Sequence, residues 1–164
     1  MNNIWRDRKL RLPIKIRLYT SIVKAVLLYN AEMWPLTKTE TQRLEAAHHK
    51  WLRRILNVSW KDMVRNESIW VQTGQEKLEL SVQERRLRWL GHVPRMSDDR
   101  IAKQVLHWVS EDRKKWGRPS VTWQHVVIKD FEKGGLYWEE AMSLTADRRE
   151  WRNWIAQCAR HGED

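Results

Sequence analysis

Residues 85–96 read RRLRWLGHVPRM, which places four arginines, a tryptophan and a histidine within about three helical turns. Helically spaced apolar residues predict one longer helix that runs from about Glu76 toward Gly91, with a break at Pro94. The helix therefore combines an apolar stripe with a dense cationic surplus. Such a helix is suited to contact a negatively charged partner.

Helical signals continue on both sides of this stretch. Pro13 suits a first helical position and opens a basic amphipathic helix. Thr37 and Glu40 have the spacing of a capping box, and Asn57 can end the helix that they open. No segment shows the period-two alternation of a strand. The sequence therefore predicts an all-α fold, a multi-helix bundle.

The predicted helices group into three segments. Residues 1–58 form a basic helical hairpin, because a short connection joins the first two helices. Residues 59–110 resemble a helix-turn-helix, in which a short helix, a turn at Gly74 and the arginine-rich helix follow one another. Residues 111–164 hold a basic arm and C-terminal helices, the first opened by Ser120 or Thr122.

The pair Asp98-Asp99 is the one place where adjacent carboxylates suggest a metal site. Ser97 precedes the pair, and carboxylates beside the positive end of a helix dipole are a common N-terminal signature. We therefore expect Ser97 to be the N-cap of the next helix. Metal binding is not expected at this position.

The charge balance favours a polyanionic partner over an acidic small-molecule substrate. The chain of 164 residues has 31 Lys and Arg against 21 Asp and Glu, a formal net charge of +10. The excess is uneven, since residues 1–56 hold 12 basic and 4 acidic side chains, whereas residues 136–164 hold 4 and 6. The front of the chain therefore carries most of the positive surface.

Other classes of protein find little support in the sequence. Cys158 is the only cysteine, which excludes an internal disulfide and fits a reducing intracellular compartment. The sequence shows no apolar leader and no long uncharged apolar run, so neither secretion nor membrane insertion is expected. The pairs His48-His49 and Cys158/His161 supply no recognised zinc set. We expect no metal, no cofactor, no small-molecule substrate and no catalytic residue.

Twelve tryptophans stand against one phenylalanine. Indole fills a core or stacks on bases at a wet boundary. Trp89 and Trp116 lie among arginines or lysines, so these two are predicted to contact a ligand. Four others fall on apolar helix stripes and are predicted to be core residues: Trp51, Trp108, Trp123 and Trp151.

Residues 85–96, which we call the signature, resemble the segment downstream of the polymerase core in reverse transcriptases of LINE-type (non-long-terminal-repeat) retrotransposons. The resemblance extends over nearly the whole chain in the order of that family. Upstream, the matching strings resemble the thumb: KIRLY (15–19), LLYNAEMW (27–34) and LRRIL (52–56). Downstream, the matching strings resemble the C-terminal tail: WGRP (116–119) with Trp123, then Asp130, WEEA (138–141), and DR (147–148) with WR (151–152).

The resemblance implies a clamp on nucleic acid. The metal-binding aromatic-Ala-Asp-Asp turn of the family's palm is absent, so this chain is not expected to polymerise DNA by itself. RNA or DNA is the expected partner, with the upstream palm and fingers if the chain is part of a longer enzyme, and the nucleus is the expected location. The expected contact residues are Lys9, Arg11, Lys15, Arg17 and Lys24 of the hairpin, Arg85, Arg86, Arg88, Trp89, His92 and Arg95 of the signature, and Lys114, Lys115, Trp116 and Arg118 of the arm.

Alternatives remain open for the signature. Its arginines can instead form a solvated face paired with Glu76, Glu79 and Glu84. His92 can cap the helix or contact a phosphate. The chain can also be a self-standing helix-turn-helix DNA binder, or an inactive remnant of the element. One departure from the family pattern is Asn30, where glycine is usual; Asn is the next-best residue for a left-handed backbone, so we expect the turn to persist.

Overall fold

The computed structural model describes residues 4–5, 7, 9–107 and 121–161, and this part of the chain is all helical, with no strand. The expected fold class is thus confirmed. The chain divides into two compact units: unit 1 is 1–30 with 37–81, and unit 2 is 31–36 with 82–164. The division into three functional segments stays a prediction. The helices are α1 (Leu12–Leu18), α2 (Ala25–Leu27), α3 (Lys38–Leu56), α4 (Asn66–Thr73), α5 (Leu78–His92), α6 (Ile101–His107), α7 (Trp123–Lys133), α8 (Trp138–Leu144) and α9 (Arg148–His161).

Local sequence signals explain the ends of the helices in unit 1. Pro13 lies in the first turn of α1, as predicted, and a π-helical stretch, Tyr19–Lys24, continues α1 into α2. Thr37 and Glu40 form the predicted capping box, in which the amide of Thr37 donates to Glu40 Oε2 at 2.8 Å. Asn57 ends α3 with a φ of 57°. The left-handed backbone expected at Asn30 is also present, with a φ of 58°.

A buried hydrogen-bond chain ties together distant parts of unit 1. The hydroxyl of Tyr19 lies 2.6 Å from Nδ1 of His48, and His48 Nε2 lies 3.2 Å from the carbonyl oxygen of Glu76. Burial lowers the pKa of His48 to about 4, so the imidazole is neutral and donates from Nε2 while Nδ1 accepts. The surrounding core consists of Trp5, Tyr19, Leu52, Ile55 and Ile69.

The core of unit 2 packs α5 against α9 at a glycine. A Cβ on Gly91 would clash with the indole nitrogen of Trp151, and that nitrogen donates to the carbonyl of Leu87 at 3.1 Å. Gly91 lies inside α5, one residue before its end, so the helix runs about as far as predicted and Gly91 serves close packing. The buried core residues are Leu87, Leu90, Val93, Leu106, Val127, Phe131, Ala141, Trp151 and Ile155.

The helix expected from Ser97 begins later, so the prediction of an N-cap there was wrong. The amide of Arg100 donates to the carbonyl of Ser97 at 3.1 Å, which closes a turn, and α6 begins only at Ile101. Asp98 instead accepts from Lys103 Nζ at 2.6 Å, and this hydrogen bond lowers the pKa of the Asp98 carboxyl. An extra turn before the helix displaces the cap by about one turn.

One further start signal in unit 2 behaves as the sequence predicted. Thr122 is the N-cap of α7, and its hydroxyl accepts from the amide of His125 at 3.2 Å. Gly134 and Gly135 turn the chain between α7 and α8. Among the residues with a described structure, none of the helices has both the length and the apolar composition that crossing a membrane requires.

Candidate nucleic-acid interface

Helix α5 divides the arginines of residues 85–96 between the interior and the surface. Arg86 is 5% exposed, and Leu87 beside it is a core residue. Arg85, Arg88 and His92 are exposed. The helical period produces this division, because Arg85, Arg88 and His92 follow at steps of three and four residues and so share one face.

Arg86 serves the fold of unit 2, which corrects its assignment to the interface. Its Nε donates to Asp130 Oδ2 at 2.7 Å, and its Nη1 donates to the carbonyl of Trp34 at 3.3 Å. The side chains of Arg86 and Asp130 are 6% and 5% exposed. A guanidinium held in this way has no room for a phosphate.

Lys15 is the second expected contact that lies inside. Its side chain is buried, and Nζ donates to the carbonyl of Trp5 at 2.8 Å. Lys24 is largely buried, with Nζ 3.9 Å from Glu76 Oε1. The other three expected contacts of the hairpin, Lys9, Arg11 and Arg17, are exposed, as a contact with nucleic acid requires. The expected arm residues Lys114, Lys115, Trp116 and Arg118 lie outside the described residues.

The tryptophans follow the sequence prediction only in part. Trp151 is 2% exposed, whereas Trp51 and Trp123 are half-buried; Trp108 lies outside the described residues. Trp89 was predicted to contact a ligand, but it is half-buried and packs on the core of unit 2, with its ring 5.9 Å from that of His92. Base stacking on Trp89 would need the indole to leave this packing.

The exposed face of α5 meets α9 in a groove, which we call the arginine groove. It has a volume of about 610 Å³. Trp151 and Ile155 form its apolar floor, and Glu84 is the one acidic residue among those that the structure shows lining it. The basic lining residues are Arg88, His92, Arg95, Arg148 and Arg152.

Positive charge in the arginine groove is only partly compensated. Glu84 Oε1 lies 2.6 Å from Nη2 of Arg88, so the carboxylate of Glu84 is paired with Arg88. Arg95 donates from Nη1 to the carbonyl of Thr145 at 2.5 Å, while its buried Nε has no hydrogen-bond partner in the described structure. Burial, and then the charges of Arg148 and Arg152, lower the pKa of Arg95. An anion with several oxygens would relieve this repulsion and supply the missing acceptor.

Arg148 and Arg152 were not among the predicted contacts, although both belong to the strings that resemble the C-terminal tail of the family. Their spacing of four residues places them on one face of α9, and Trp151 beside them is buried. That spacing is the signal that could have found them. Arg149 is exposed as well but does not line the groove.

Comparison with known proteins shows one distant relative. No protein-family model matches the sequence, and no solved structure matches it. The chain is similar to an uncharacterized transposon-derived protein of Caenorhabditis elegans, with 26% identity over 147 residues. The match covers 84% of this chain and 52% of that protein, so the chain spans about half the length of the relative. The similarity indicates that this chain has a transposon-related origin.

Proposed function

We propose that the chain is a nucleic-acid-binding part of a non-long-terminal-repeat retrotransposon reverse transcriptase, corresponding to its thumb and C-terminal region. It holds the sugar–phosphate backbone of RNA or DNA in the nucleus, while the polymerase chemistry belongs to palm and fingers elsewhere in the enzyme. Support comes from the LINE-type sequence motifs, from the transposon-derived relative and from the net charge of +10.

The arginine groove is the observation that carries this proposal. Four guanidinium groups line it, and Glu84, the carboxylate among its described lining residues, is paired with Arg88. Guanidinium groups match pairs of phosphate oxygens, and contacts with phosphates hold a strand without reading its sequence. A small acidic ligand is a poorer match, since the rest of the chain also carries excess positive charge.

The placement of the signature arginines favours a clamp over a helix-turn-helix reader of bases. A recognition helix needs several exposed side chains that can reach base edges. In α5, Arg86 is buried against Asp130 and Arg88 is held by Glu84. His92 and Arg95 line the arginine groove together with Arg148 and Arg152, an arrangement that suits phosphates.

A salt titration tests the proposal. Arg148→Gln combined with Arg152→Gln should weaken binding to random duplexes, defined duplexes and RNA–DNA hybrids by a similar factor. The slope of log K against log salt between about 50 and 200 mM should fall by about 2, since two phosphate contacts are lost. Fluorescence anisotropy with labelled nucleic acid measures both quantities.

Arg149→Gln is the matched control, because Arg149 is exposed on the same helix but lies outside the groove. It should change the salt slope less than Arg148→Gln alone or Arg152→Gln alone. A loss confined to one defined sequence would instead identify a helix-turn-helix reader. Weak, salt-insensitive binding by the unmodified protein would identify an inactive remnant.

A further inference from the structure

Trp60 is an exposed indole that the proposed backbone clamp does not use. Its exposed fraction is 77%, whereas every other tryptophan in the described part of the chain is buried or half-buried. Nζ of Lys61 lies 5.9 Å from the centre of its ring. A large apolar ring in water, with a cation over one face, offers stacking on the other face and charge together.

The backbone holds Trp60 in a defined position. Trp60–Asp62 form a 3-10 turn, in which the amide of Ser59 donates to Asp62 Oδ2 at 2.6 Å and the amide of Lys61 donates to Ser59 Oγ at 3.4 Å. Met63 then leaves the turn with a φ of 50°. Because the turn is capped at its start and closed at its end, little backbone entropy is lost when a ligand stacks on the ring.

A second groove, which we call the α3 groove, leads to this turn. It has a volume of about 840 Å³ and is formed by the C-terminal half of α3 and the residues after it, up to Ser59. No carboxylate is among its described lining residues. Trp51 contributes an apolar wall, with the guanidinium carbon of Arg54 5.8 Å from its ring centre. The remaining lining residues are Ala46, Ala47, His49, Lys50, Arg53, Asn57 and Val58.

We propose that Trp60 and the α3 groove bind an unpaired stretch of polynucleotide. A base stacks on the Trp60 indole beside Lys61, and phosphates of the same strand lie against the cations that line the groove, among them Lys50 and Arg54. The proposal rests on the proposed function and adds a preference for unpaired nucleic acid within unit 1. It concerns different residues from those of the arginine groove.

The chemistry of the surface favours an unpaired strand over its competitors. In a duplex the faces of the bases are covered by their neighbours, so an exposed indole gains little from paired nucleic acid. A protein partner that covered Trp60 would also have to match a groove lined by lysine and arginine without any described carboxylate. Single strands offer bare base faces and regular negative charge together.

Substitution of Trp60 tests the inference directly, because an exposed side chain can be removed without opening a core. Trp60→Ala should weaken binding to an oligothymidylate of about 16 nucleotides by roughly tenfold, the loss of one stacked base. Binding to a duplex of the same length should stay within about twofold. Trp60→Phe keeps an aromatic face and should retain most of the single-strand affinity.

Met63→Ala is the matched control, since Met63 is 83% exposed on the same turn but has no aromatic ring. It should leave both affinities unchanged. Equal losses on single strand and duplex in Trp60→Ala, or no loss on either, would overturn the inference. If the unmodified protein binds neither form, the proposed function itself fails. If it binds duplex with a steep salt slope while Trp60→Ala keeps full single-strand affinity, only this inference fails.

Discussion

At the scale of single residues, burial decides what each charge does. Removing a guanidinium from water costs several kcal/mol unless an opposite charge and hydrogen bonds replace its hydration. Arg86 has both, from Asp130 at 2.7 Å and from the carbonyl of Trp34. Arg88, two positions along the chain, keeps 69% of its side chain exposed. Neighbouring arginines of one signature therefore have unrelated roles.

Replacing Arg86 should destabilise the protein strongly. Arg86→Met leaves the Asp130 carboxylate buried without its principal counter-charge, so the free energy of unfolding should fall by about 3–5 kcal/mol. Arg86→Met combined with Asp130→Leu removes both charges and should recover much of this loss. Chemical denaturation followed by circular dichroism measures each variant. Arg88→Met, whose exposed pair with Glu84 contributes under about 1 kcal/mol, is the control; an equal loss there would refute the prediction.

At the scale of helices, the contact between α5 and α9 explains the glycine of the signature. Glycine inside a helix costs about 1 kcal/mol relative to alanine, so a local argument alone would disfavour it. Trp151 reverses this preference, since its indole occupies the space where a Cβ on Gly91 would lie. The hydrogen bond from Trp151 to the carbonyl of Leu87 fixes the ring in that position.

Gly91→Ala should therefore destabilise unit 2 despite its better helix propensity. Overpacking at this contact should lower the free energy of unfolding by about 2 kcal/mol. With Trp151→Leu in the background, the added methyl group finds space, and the same substitution should become neutral or stabilising by up to about 1 kcal/mol. Urea denaturation of the four proteins measures the coupling. An equal cost in both backgrounds would show that Trp151 is not the obstacle.

At the scale of the whole molecule, the protein carries more positive charge than its own carboxylates neutralise. The net charge of +10 has a local counterpart in the arginine groove, where burial and then the charges of Arg148 and Arg152 lower the pKa of Arg95. Mutual repulsion of this kind weakens the folded state while no anion is bound. Binding sites often carry such a cost in stability.

Arg152→Gln should consequently stabilise the free protein while it weakens nucleic-acid binding. Relief of the repulsion should raise the melting temperature by about 2–4 °C without ligand. Added salt should raise the melting temperature of the unmodified protein more than that of the variant, because salt screens the same repulsion. Differential scanning fluorimetry at low and high salt measures this. A lower melting temperature in Arg152→Gln would show that the groove is not electrostatically strained.

The sequence by itself determined the features that depend on near neighbours. The capping box at Thr37, the left-handed residues Asn30 and Asn57, and the excess of positive charge could all be predicted, because each depends on a few consecutive residues or on composition. The N-cap predicted at Ser97 was wrong, because a turn between Ser97 and Arg100 precedes α6 and moves its start to Ile101.

Only the tertiary structure decided which of the predicted charges face a ligand. Arg86 is neutralised by the carboxylate of Asp130, 44 positions away in the sequence. Gly91 has no side chain where the indole of Trp151 packs, 60 positions away. The arginine groove likewise joins residues of α5 and α9 that no local pattern connects. Burial and charge pairing depend on which side chains meet after folding, and helical periodicity specifies a face of a helix without specifying what covers it.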